Sequence, residues 1–84
     1  MTDVQKITLR DVLRERGLSE QRINDVMLLL RFKPERVQLA FYYVAQGMTH
    51  EYAATMIGVS QSTVTRSLHR ECADIGDYLK IPMH

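Results

Sequence analysis

Eighty-four residues provide one compact domain with a modest core, and 45% hydrophobic against 25% charged residues exclude a disordered tail. The longest apolar run, Val26 to Leu30, is far short of the roughly 20 residues a membrane span requires, and the N-terminus lacks the basic-then-apolar order of a signal peptide, so a cytoplasmic protein without membrane contact is expected. The net charge of +1 averages over an uneven chain: residues 31 to 70 hold five Lys or Arg against two Glu, whereas Glu71, Asp74 and Asp77 face only Lys80 beyond them.

Apolar residues recur at three and four along the chain, with no hairpin dipeptide, internal repeat or low-complexity stretch, so the fold class is all-α: a compact bundle of about five helices in one domain. Thr8 is placed to cap a first helix with Leu9, Val12 and Leu13 inward, ended by Gly17. Ser19 then caps a second, with Glu20 in its first turn and Ile23, Val26, Met27 and Leu30 on one face. Residues 1 to 32 thus form a supporting N-terminal part. Pro34 breaks the chain and opens a third helix to about Gln46, whose interior from Val37 to Ala45 is nearly all apolar or aromatic and therefore buried on several sides. Gly47 ends it, Thr49 caps a fourth helix, and Gly58 ends that one.

After Ser60, a good N-cap, neither Gly nor Pro occurs until Gly76, so the last helix is expected to be long, from Gln61 to about Leu79. Its stripe of Val64, Leu68, Cys72, Ile75 and Leu79 outruns a compact bundle. Either a second copy covers it, making residues 70 to 84 a dimerisation tail with Cys72, Ile75, Tyr78 and Leu79 at the interface, or the chain bends near Gly76 and covers the stripe with its own core. Cys72, the single cysteine, excludes an internal disulfide and a multi-cysteine zinc site, and suits a small half-buried apolar position.

The segment Thr49 to His69 carries the functional signal. A helix-turn-helix needs a small residue beneath the crossing of its two helices, here Ala54, and a positive-φ residue in its turn, here Gly58 four positions later. Ile57 and Val59 plug the corner, and Val64 and Leu68 turn the second helix inward. That register leaves Gln61, Ser62, Thr65, Arg66 and His69 on the outer face, where base edges in a major groove are read: Gln61 suits adenine, Arg66 guanine, and Thr65 a thymine methyl or a base amine. Ser60, Ser62 and Thr49 at helix starts, with Lys33, Arg36, His50 and Arg70, suit phosphate. No acid occurs from Val59 to Arg70. The plainer interpretation of these residues is a corner in a helical bundle with a solvated outer face. The histidines lack partners at metal-ligand spacing, and Tyr42, Tyr43 and Tyr52 suit the core or an interface.

From Gly47 to His69 the chain resembles the helix-turn-helix of phage Cro repressors, sharing the Gly, the Ala54-x-x-x-Gly58-Val59 step and the Gln61-Ser62 pair. From about Lys33 to Ile75 it resembles small bacterial regulators of the TrfB/KorA and PapB type, with a similar central helix and a final helix carrying Val64, Ser67 and His69. That resemblance implies a transcriptional regulator, often plasmid- or fimbria-encoded, that binds symmetric operators as a dimer or higher oligomer; repression in particular comes from the kinship alone. Residues 1 to 32 match no motif of these families, and the basic C-terminal extension of some relatives is absent.

The expected activity is therefore sequence-specific binding of double-stranded DNA by a homodimeric or higher-order regulator, without cofactor, metal or small-molecule ligand. A helical protein-interaction module, such as an anti-repressor or polymerase-binding factor, is the alternative and draws on the acidic C-terminal segment. No Gly-rich phosphate loop and no nucleophile and base at a recognisable spacing point to an enzyme.

Overall fold

Among the described residues, four helices have their first turn closed by a hydroxyl side chain. The computed structural model describes residues 8 to 75, which form α1 (Leu9–Glu15), α2 (Glu20–Arg31), α3 (Glu35–Ala45), α4 (His50–Ile57) and α5 (Gln61–Glu71), followed by a last helical turn over residues 73 to 75. There is no strand among the described residues. Thr8, Ser19, Thr49 and Ser60 each accept a hydrogen bond from the backbone N–H three residues on, satisfying a donor that has no partner inside the helix. At Thr8 the arrangement is reciprocal, because the Asp11 carboxylate accepts from the Thr8 N–H in return. Pro34 starts α3 without a side-chain cap, as its fixed φ of −57° allows.

The core is a single cluster that draws on every helix. Leu13 of α1, Ile23 and Val26 of α2, Phe41 of α3, Val64 and Leu68 of α5, and Cys72 and Ile75 beyond it are fully enclosed. The third helix packs against α1, α4 and α5, and α4 is held against both α3 and α5. Such close approach needs small residues, and Ala40, Ala45, Ala53 and Ala54 are all buried. The Arg16 guanidinium donates to the carbonyl of Ala45 at 2.5 Å, tying the end of α1 to the end of α3, where carbonyls lack helical partners.

The expected length of the helix after Ser60 is corrected, and of the two alternatives for its apolar stripe the described residues show the bend onto the chain's own core. The helix that starts at Gln61 is not long: α5 stops at Glu71, and Cys72 leaves helical geometry at φ −119° and ψ 14°. The chain then makes a new turn in which the Ile75 N–H bonds the Cys72 carbonyl. The bend comes before Gly76, and burial explains it, since it swings Cys72 and Ile75 onto the chain's own core. These two residues are consequently unavailable as a dimer interface. The other two expected there, Tyr78 and Leu79, lie outside the described residues. Burial also pushes the Cys72 thiol up to about 11, although nearby Lys33 opposes the shift.

Candidate nucleic-acid interface

Residues 58 to 60 connect α4 to α5, and their geometry aims the second helix. Gly58 adopts φ 78° and ψ 33°, the left-handed region that side-chain-bearing residues enter at a cost. The N–H groups of Gly58 and Val59 both bond the Ala54 carbonyl, at 2.9 and 3.0 Å, so the end of α4 is closed by the backbone itself. Ser60, in extended geometry, then caps α5 by accepting from the Thr63 N–H at 3.2 Å. Ala54, Val64 and Leu68 are buried where α4 and α5 meet, and Ile57 and Val59 are partly buried against the same cluster.

With that face turned inward, Gln61, Ser62, Arg66, His69 and Arg70 are exposed along the other side of α5. Gln61, Ser62, Thr65 and Arg66 line one open depression. Among the described residues, Gln61, Arg66, His69 and Arg70 make no hydrogen bond or ion pair with another side chain, which leaves their donors free for an outside partner. A second groove runs beside α5, lined by Pro34, Arg36, Val37, Ser67, Arg70 and Glu71. It brings Arg36 and Arg70 together from residues 34 positions apart, with the half-buried Ser67 at the same wall. Ser67 is not among the expected site residues, and its position one turn before Arg70 is the one signal in the sequence that sets it on this wall.

Several expected phosphate ligands have other partners. The Lys33 ammonium lies 4.0 Å from the Asp74 carboxylate and its side chain is only 18% exposed, so it faces the C-terminal turn rather than solvent. Asp74, in the turn after α5, thus lies close enough to hold this lysine. His50 is half-buried, with Nδ1 2.9 Å from Thr65 Oγ1. Thr49 and Ser60 are exposed but act as caps, and the Ser60 hydroxyl also contacts those of Thr63 and Ser62 at 2.8 and 3.3 Å. Arg36, Ser62 and Arg70 remain the outward-facing members of the expected phosphate set.

Among the described residues no three His, Cys, Asp or Glu side chains gather as metal ligands would, and no helix is long and apolar enough to cross a membrane. The chain matches no protein-family model, no curated protein and no solved structure.

Proposed function

We propose that α4 and α5 form a helix-turn-helix and that the chain is a sequence-specific double-stranded DNA-binding regulator of transcription in the cytosol. The observation that carries this reading is the outer face of α5: Gln61, Ser62, Arg66, His69 and Arg70 stand exposed on a helix whose opposite face is buried, in a stretch with no acid between Glu51 and Glu71. Those side chains match the donors and acceptors of base edges, and Arg36 with Arg70 supplies cations beside them for phosphate. Acting as a two-fold dimer, the protein sets two copies of α5 in successive major grooves ~34 Å apart and represses by occupancy. The dimer contact does not involve Cys72 or Ile75, both buried within the chain.

Selecting bound duplexes from a random pool tests this directly: the expected product is a palindrome with a fixed half-site spacing. Against that site Arg66→Ala costs about 1 to 3 kcal/mol and relaxes base preference, whereas Arg36→Ala weakens all duplexes alike and lowers the salt dependence by about one phosphate. An Arg66→Ala variant that keeps the wild-type ratio of specific to scrambled binding would falsify the assignment.

A protein-interaction module is the second reading, and its support is the exposure of Phe32 (80%) and Leu28 (54%), one turn apart at the end of α2 and apolar enough to meet another protein. Binding to duplex DNA that disappears with rising salt separates the two, because contact through Phe32 and Leu28 is insensitive to it.

A further inference from the structure

The three threonines of α4 and α5 use their hydroxyls differently. Thr55 donates to the Glu51 carbonyl at 3.1 Å, the usual bond to the preceding turn, and Thr63 lies against the Ser60 cap at 2.8 Å. Thr65 instead has its Oγ1 2.9 Å from Nδ1 of His50, a contact between the first residue of α4 and the fifth of α5. A threonine in a helix divides between two χ1 rotamers because its hydroxyl has the choice of that backward carbonyl, and χ1 places hydroxyl and methyl together. A fixed partner outside the helix removes the choice.

Resting on the DNA-binding reading of α5, we infer that His50 is a specificity-determining positioning residue: by holding the Thr65 hydroxyl it fixes the rotamer in which Thr65 meets a base, and it is not itself a phosphate ligand. Whichever of the two atoms carries the proton, the bond holds Oγ1 in one place and leaves the methyl in one direction. His50 thereby couples the first helix of the pair to the chemistry read by the second. Thr65 is half-buried beside exposed Gln61, Ser62 and Arg66, so its methyl and hydroxyl meet a ligand only in the orientation the fold permits.

The experiment compares His50→Leu, His50→Asn, Thr65→Val and the double variant His50→Leu/Thr65→Val on the selected duplex and on single-base variants of it. Asparagine is the conservative rescue, since its amide keeps a hydrogen-bonding atom at the same bond separation from the backbone as Nδ1. His50→Leu is expected to lower discrimination at one base pair by roughly five-fold or more while leaving other positions and the salt slope unchanged. His50→Asn should restore it, and the double variant should lose no more than Thr65→Val alone. A second measurement needs no DNA: three-bond couplings to the Thr65 methyl carbon report one χ1 rotamer in the wild type and averaging in His50→Leu. Equal weakening of every duplex with a shallower salt slope would make His50 a phosphate ligand and overturn the inference, as would Thr65 couplings unchanged in His50→Leu. If the wild type selects no consensus, the DNA-binding reading fails instead, while the couplings still decide whether His50 positions Thr65.

Discussion

The two ends of this molecule use polar side chains in opposite ways. At the α1–α2 corner the charges answer one another: Arg14 reaches the Glu20 carboxylate at 2.7 Å and Asp11 at 3.1 Å, Arg10 approaches Glu20 at 3.8 Å and also bonds Asn24. On α5 the exposed cations and amide have no such partners among the described residues. A surface whose charges are paired within the chain has little left for a ligand, whereas unpaired donors over a buried apolar face are available for one. The difference lies in where the acids are, since α1 and α2 contain Asp11, Glu15, Glu20 and Asp25 while α5 has none before Glu71.

Four measurements test that contrast, beginning with the largest effect. Phe41→Ala empties a fully enclosed position on the helix that joins the two ends, so both should weaken together by about 3 to 5 kcal/mol in denaturant unfolding. A loss of protection confined to one end in amide exchange would show that the ends fold independently. Gly58→Ala acts on the α4–α5 end alone. An added methyl there meets nothing within 4 Å, so its cost is torsional, roughly 1 to 2 kcal/mol, and should be read as destabilisation accompanied by weaker binding to the selected duplex.

Acid separates the ends by the order in which they loosen. Hydrogen bonding from Thr8 holds the Asp11 carboxyl below its ordinary value of 3.8, and Arg14 does the same for Glu20 relative to 4.5. A carboxylate lowered in the folded state stabilises it above the unfolded value, and that contribution is lost as pH falls through the shifted one. Amide protection in α1 and α2 should therefore decline below about pH 4, ahead of that in α4 and α5. Simultaneous loss would mean that the ion pairs do not stabilise their corner. The smallest effect is expected from Arg66→Gln, which removes a charge without a partner among the described residues and should leave the melting temperature unchanged. Arg14→Gln should lower it slightly, because exposed pairs contribute little.

Much of this was legible in the sequence because caps and stops are local. Ser19, Thr49 and Ser60 stand where their hydroxyls reach the N–H three residues ahead, and Gly58 supplies a conformation few other residues adopt, so the chain order alone set the helix starts and the α4–α5 turn. The inward set of α5 followed from its period. What escaped were the polar approaches between distant residues: His50 with Thr65, Lys33 with Asp74, and Arg36 with Arg70 in one groove. The end of α5 escaped for a related reason. No breaker occurs before Gly76, and only the opportunity to bury Cys72 and Ile75 in the existing core turns the chain at Cys72.

That burial gives the protein its own chemical clock. A thiol that is fully enclosed, with its ionisation pushed up to about 11, reacts with an alkylating reagent only in molecules whose C-terminal turn has lifted from the core. Because the chain has one cysteine, the alkylation rate divided by that of an unstructured thiol gives the open population directly, each ten-fold of slowing corresponding to about 1.4 kcal/mol of closure. Labelling in the presence and absence of duplex then measures how far a ligand on the outer face of α5 steadies a residue on its inner side.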